Sequence, residues 1–312
     1  MKTFGPVPSR RLRRSLGINN IPPKICTYSC VYCQVGRTMK MQVERQSFYD
    51  RKEILEEVKD KVEKLKEIGE SIDYLTFVPD GEPTLDINLG KEISLLKPLG
   101  IKIAVISNSS LIWQSEVHAD LPKADWVSFK IDAIDEGVWR RVNRPHHKLN
   151  LEKILDGMLE FAKTYQGEFA TETMLVKGYN DRKDNLKEIA EFLEKLKPDI
   201  AYLAIPTRPP AEKQIEPPDE TTIIQSHQIL SKKIANVEYL IGYEGNAFAS
   251  TGNAEEDLLS IIAVHPMRKD AVREFLARAD VSGDTIEKLL QENKLVEATF
   301  GDKQFYMRKF SS

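Results

Sequence analysis

Apolar and polar positions along the chain follow two rhythms. Segments 14–19, 73–79, 101–107, 125–131, 168–176 and 200–205 are short apolar runs, the length and bias of strands. Between them lie amphipathic stretches. Residues 53–68 place Ile54, Leu55, Val58, Val62, Leu65 and Ile68 on one face of a helix, and 151–165 and 185–196 keep the same period. Strand and helix alternate about six times, which predicts an α/β fold of parallel strands joined by right-handed crossovers. A barrel or partial barrel fits that count, with ligands gathering in the loops after the strands.

The rhythm breaks after Ile205. The run PTRPPAEKQIEPPDE holds five prolines in fifteen residues and reads as an extended connection. A helix-like stretch at 221–234 and a strand-like one at 237–241 complete a first unit, 1–245. A second unit is expected at 256–312. Its segments 258–264 and 269–277 are apolar at helical spacing, DVSGDTIEKLLQENKLV reads as a turn and a helix, and 299–310 reads as a hairpin around Gly301-Asp302. Three helices and a two-stranded wing form the pattern of a winged helix-turn-helix. Residues 256–312 carry nine Lys and Arg against ten Asp and Glu. A nucleic-acid reader is more basic than that, so DNA is not the expected partner, and a docking or substrate-presenting module is.

Charge sharpens this picture locally. The whole chain has a formal net charge of −3, with 41% hydrophobic and 30% charged residues. It is therefore no general polyanion binder. Yet residues 1–40 hold eight basic side chains and no Asp or Glu, a solvated surface or an anion-binding face. The start, MKTFGPVPSRR, lacks the apolar core of a signal peptide. No run approaches the roughly 18 apolar residues of a membrane span. A cytoplasmic protein with reduced thiols is expected.

All three cysteines of the chain lie in CTYSCVYC: Cys26, Cys30 and Cys33. Three is odd for disulfides and one short of a structural zinc site. None of the five histidines, His118, His146, His147, His227 and His265, is within eighty residues of them. The readings are zinc with a remote fourth ligand, three unrelated buried thiols, or an iron–sulfur cluster. A cubane cluster takes four thiolates; with three, one iron keeps an open position for a substrate or cofactor.

The C-x3-C-x2-C spacing, with aromatic Tyr32 before the last cysteine and the first predicted strand upstream, resembles the hallmark of the radical S-adenosylmethionine (SAM) superfamily. The resemblance spans roughly residues 1–245. It implies a partial (β/α)6 barrel, one [4Fe–4S] cluster on Cys26, Cys30 and Cys33, and SAM on the open iron. Gly81-Glu82-Pro83, after the second strand, resembles the family's GGE-type motif for the SAM amino group, with Asp80 in place of the first glycine. Ser107 and Asn108, after the third strand, resemble the polar pair that faces the SAM ribose or carboxylate. Lys130 and Asp132, two apart and so expected on one interior face, and Glu172 and Met174, match positions that contact the ribose in similar enzymes. Ile205 and Pro206 would flank adenine, and Arg208 would hold an anion. No residue is singled out as catalytic.

The segment GPVPSRRLRRSLGINNIPPKICTYSCVYCQVGRT is most similar to a branch related to the wyosine tRNA synthetases. Archaeal-type members of that branch use a second cluster, for which this chain has no cysteines. The resemblance implies an external one-electron donor and a 5′-deoxyadenosyl radical that takes hydrogen from a substrate. A macromolecule, RNA or protein, is the expected substrate. A glycyl-radical activase or a small-molecule enzyme is the alternative, and a non-enzymatic iron–sulfur regulator the remote one.

Overall fold

The computed structural model describes residues 2–242, 245, 246 and 248–309. Phe310, the last residue of the expected hairpin, lies outside them, as do 311 and 312. In chain order the elements are β1 (Thr3–Ser9), β2 (Arg13–Ile18), β3 (Ile25–Cys26), β4 (Lys40–Met41), α1 (Arg51–Glu67), β5 (Tyr74–Phe77), α2 (Leu89–Leu96), β6 (Lys102–Ser107), α3 (Ser115–Asp120), β7 (Trp126–Lys130), α4 (Glu136–Asn143) and α5 (Leu151–Thr164). Then follow β8 (Glu168–Met174), α6 (Lys183–Leu196), β9 (Ile200–Ala204), α7 (Glu220–Ser231), β10 (Val237–Leu240), α8 (Ala254–Val264), β11 (Met267–Arg268), α9 (Lys269–Arg278), α10 (Asp284–Gln291), β12 (Leu295–Phe300) and β13 (Lys303–Arg308).

One sheet carries the order β1-β2-β5-β6-β7-β8-β9-β10. Every pair from β2 to β10 is parallel, and only β1 runs antiparallel, on β2. The sheet curls into the partial barrel expected from the sequence. The six predicted strands are β2 and β5 to β9, and the strand-like stretch at 237–241 forms β10, a further parallel strand. Strand β1 carried no strand signal, because Gly5, Pro6 and Pro8 interrupt it. It forms because it is an edge strand, where a missing amide costs nothing in the ladder.

Strand alternation separates two apolar layers. Ile103, Val105, Val127, Phe129, Phe169, Ala201 and Leu203 face outward into the core shared with the helices. Ala104, Trp126, Ala170, Tyr202 and Ala204 face the concave interior. Leu12, from the turn between β1 and β2, plugs that interior and is 1% exposed. Small alanines at three interior positions, Ala104 on β6, Ala170 on β8 and Ala204 on β9, leave room for it. Helix ends are set by local chemistry: Asp50, Asn150 and Asp219 each accept from a first-turn amide of α1, α5 and α7.

The C-terminal elements form three helices and a small sheet of order β11-β13-β12. Their core is not their own. Leu258, Ile261, Phe275 and Leu289 pack in one cluster with Phe4 and Val7 of β1. Helix α8 is buried almost all round because it is wedged between β1 and the C-terminal sheet. The buried ammonium of Lys61, on α1, pairs with the buried carboxylate of Asp257, on α8.

Candidate functional site: a three-thiol cavity at the strand ends

The long loop after β2 carries the cysteines, and backbone bonds fix its shape. Strands β3 and β4 pair at its base, with Gln42 N donating to Cys26 O at 3.2 Å. Inside the loop Cys33 N donates to Cys30 O at 3.2 Å and Gly36 N to Cys33 O at 3.1 Å. The outer side is pinned to the end of α4: Val31 N donates to Val142 O at 2.9 Å and Ser29 N to Asn143 O at 3.1 Å. The Tyr28 ring meets Trp139 edge-on, and the indole N–H donates to the Tyr28 hydroxyl at 3.1 Å. The three thiols are half-buried and unpaired with one another, and all line one cavity of about 270 Å³.

Gly81 lies flat against this loop. Its backbone bridges to Ile25, and Glu82 N donates to Ile25 O at 3.2 Å. A Cβ at position 81 would collide with the Ile25 carbonyl, so only glycine lets the second motif touch the strand that ends in Cys26. The Glu82 side chain points away from a ligand role. Its carboxylate accepts from Thr84 N (3.1 Å), Thr84 Oγ1 (2.6 Å), Ser107 Oγ (2.7 Å) and Asn108 N (2.7 Å). It ties the β5 loop to the end of β6. Asp80, which replaces a glycine of the resembled motif, is buried beside Lys24 at 3.5 Å; burial, against the pull of Lys24, lifts its carboxyl to about 6.

The interior ends of β7 and β8 bring in charge. Lys130 and Glu172 are direct partners across the strands, and Arg11, from the β1–β2 turn, grips the same carboxylate. Burial pushes the Glu172 carboxyl up, but Arg11 and Lys130 outweigh it and hold it at about 2. The Lys130 ammonium stands 5.0 Å over the Tyr32 ring. Farther out, Arg208 donates to Gln34 Oε1 at 2.7 Å and lies 3.0 Å from the His265 ring nitrogen. The Cys33 loop, the β9 loop and the C-terminal elements thus meet at one rim, to which Val264 also contributes.

Every site residue expected from the sequence lines this cavity except Pro83 and Asp132. Pro83 is buried, its carbonyl taken by Asn20 at 3.1 Å. Asp132 was expected to share the interior face with Lys130. Strand β7 ends at Lys130, so the alternation stops there and the Asp132 side chain turns behind the cysteine loop. There it accepts from the Tyr32 hydroxyl, from Asn143 Nδ2 at 2.7 Å and from Met174 N at 2.8 Å. Arg11, Lys24 and Asn143 were not singled out beforehand. Arg11 and Lys24 carried only the general signal of a basic segment; Asn143 carried none.

The donor set suits an iron–sulfur cluster better than a single ion. Among the described residues, no group of three His, Cys, Asp or Glu side chains could hold one metal ion. A cubane offers each thiolate its own iron and needs no such convergence. Two amide groups already aim at the sulfurs: Asn108 Nδ2 is 3.5 Å from Cys26 Sγ and Asn143 Nδ2 is 3.4 Å from Cys30 Sγ. Burial pushes all three thiols up, Cys30 to about 12, so they are neutral until iron displaces their protons.

Comparison with known proteins decides the family. Residues 20–197 match the sequence profile of the Radical SAM superfamily. The UPF0026 protein MJ1312 of Methanocaldococcus jannaschii is 48% identical over 311 residues, 99% of this chain and 96% of that protein. The chain is a radical SAM protein of the UPF0026 family. A second UPF0026 protein, from Helicobacter pylori strain J99, is 38% identical over 213 residues, 67% of this chain and 68% of that protein. Among solved structures, TYW1 with a lysine-pyruvate adduct bound matches with a TM-score of 0.55 at 18% identity, over 71% of this chain and 74% of that one. At that identity the likeness is one of fold. As a radical SAM enzyme the UPF0026 chain uses a [4Fe–4S] cluster and S-adenosylmethionine. No helix among the described residues is long and apolar enough to cross a membrane.

Proposed function

We propose that this protein cleaves SAM reductively at a single [4Fe–4S] cluster held by Cys26, Cys30 and Cys33, and directs the product radical at a macromolecular substrate. The carrying observation is that all the chain's cysteines line one cavity together with the residues expected to bind SAM, Pro83 and Asp132 excepted. When bound, the cluster and SAM supply a 5′-deoxyadenosyl radical, which takes a hydrogen atom from the substrate, on receipt of one electron from an external donor.

The chain's own groups bind and orient. The Glu82 carboxylate is already engaged by four donors, so it positions the β5 and β6 loops. The carbonyls of Pro79, Asp80 and Glu82 accept from Gly81 N, Lys24 N and Leu85 N. The carbonyl of Gly81, which bridges to Ile25 and lines the cavity, is the group we assign to the SAM ammonium. Ser107 and Asn108 hold the strand end against the Cys26 loop. Lys130, Arg11 and Glu172 form a fixed polar floor. Ile205 and Met174 give an apolar wall that keeps water from a reactive primary radical.

The C-terminal elements have the chain order of a winged helix, and we read them as a docking module that also walls the cavity through Val264. Lys2, Arg14 and Arg37 of the basic N-terminal segment pair with Glu53, Glu70 and Glu212. That pairing removes much of the support this segment gave to RNA and favours a protein substrate. The test is anaerobic reconstitution with iron and sulfide, then reduction with SAM present. About four irons per chain and 5′-deoxyadenosine are expected, and Cys26→Ala, Cys30→Ala and Cys33→Ala should each lose both. A full iron load without SAM cleavage would overturn the reading. Turnover of RNA, with no protein partner modified, would overturn the preference for protein.

A further inference from the structure

Asn143 occupies an unusual place. It is the last residue of α4 and is 2% exposed. Its Nδ2 donates to the buried Asp132 carboxylate at 2.7 Å and stands 3.4 Å from Cys30 Sγ. The same nitrogen is 3.4 Å from the Tyr32 hydroxyl, which gives its own proton to Asp132; with two hydrogens, the amide can serve Asp132 with one and Cys30 with the other. The amide is held from several sides. Asp132 is itself fixed by the Tyr32 hydroxyl and by Met174 N at 2.8 Å. The Asn143 carbonyl accepts from Ser29 N at 3.1 Å, which joins the end of α4 to the cysteine loop. A flip of the amide would set its Oδ1 against the Asp132 oxygen that already accepts from the Tyr32 hydroxyl, and would deprive that buried acceptor of the amide donor.

We propose that Asn143 sets the reduction potential of the cluster by donating a hydrogen bond to the Cys30 sulfur. Reduction adds one electron, supplied by the external donor, and no proton; part of the added charge resides on the thiolate sulfurs. An N–H donor stabilises the more negative, reduced form and raises the potential. Asp132 acts in the opposite direction, because a carboxylate near Cys30 disfavours added negative charge. The Asn143 amide binds both groups at once and so shields the sulfur from that carboxylate. Asn143 is accordingly a positioning residue: it does not line the cavity and acts through Cys30. The inference rests on the reading of Cys30 as a cluster ligand.

The test is a redox titration of the reconstituted full chain without SAM, followed by the electron paramagnetic resonance signal of the reduced cluster. Asn143→Ala removes the donor, and Asn143→Asp keeps the shape while replacing the amide N–H2 by oxygen. Both should retain the wild-type iron content and shift the midpoint to more negative potential. In each, the fraction reduced at a fixed donor potential should fall. A wild-type midpoint in either fully loaded variant would overturn the proposal. So would loss of the cluster or of the folded chain in both variants, since that marks a structural residue. Failure of the wild-type chain itself to bind four irons would instead sink the cluster assignment, which separates the two failures.

Discussion

Asp257→Ala is the most informative perturbation of how the C-terminal elements join the barrel. The Asp257 carboxylate is 2% exposed and accepts from Lys61 Nζ, Thr251 N at 2.6 Å and Ser250 Oγ at 3.1 Å. The Lys61 side chain is 10% exposed, and its other bond is to Thr251 Oγ1 at 2.8 Å. Removing the carboxylate leaves a buried ammonium with a lone hydroxyl partner. Breaking one side of such a pair costs about 3–5 kcal/mol, or roughly two to four decades in the folding equilibrium. At about 2 °C per kcal/mol for a chain of this size the melting temperature should fall by roughly 6–10 °C. Differential scanning calorimetry on the full chain reads this directly. The double variant Lys61→Met, Asp257→Leu should recover most of the loss, since an apolar pair of similar volume replaces the ions at little net cost. A single variant that melts within about 1 °C of wild type, well under the shift expected for a buried pair, would refute the reasoning. A double variant no better than the single would refute it as well.

Two further expectations follow from the cavity. Gly81→Ala places a Cβ on the Ile25 carbonyl, so the second motif must move away from the Cys26 strand; isothermal titration should show SAM affinity reduced by tenfold or more, about 1.4 kcal/mol, and unchanged affinity would mean that the close approach is dispensable. Glu172 should make acid stability visible: its carboxyl is held at about 2 against an ordinary 4.5, so the stabilisation is complete above about pH 4.5 and fades as pH falls towards 2. Glu172→Gln should therefore cost up to about 3 kcal/mol at neutral pH, a deficit that shrinks between those limits, and a deficit independent of pH would contradict the ion triad with Arg11 and Lys130.

Much of this architecture was readable without coordinates. Hydrophobic periodicity is a local property, so the strands β2 and β5 to β9 and the helices α1, α5, α6 and α7 could be placed within a few residues. The thiol spacing is also local, and it pointed to a cluster before any neighbour was known. Glu82, Ser107 and Lys130 were each found as residues following or closing a strand, where a parallel sheet gathers its ligands.

Tertiary structure decided what depends on partners distant in the chain. The proline-bearing β1 is a strand only because β2 offers it an edge and α8 covers it. Asp132 left the cavity because β7 ends at Lys130, a boundary that periodicity locates only to within a few residues. Arg11 and Lys24 turned inward towards the buried carboxylates of Glu172, which Lys130 also holds, and Asp80, since burying an unpaired charge is far costlier than leaving one in water. Asn143 lies 113 residues from Cys30, and no pattern in the chain announces their contact. The sequence by itself determined the elements and the chemistry of the thiols; the packing of α4, α8 and the β1–β2 turn around them determined which side chains that chemistry can use.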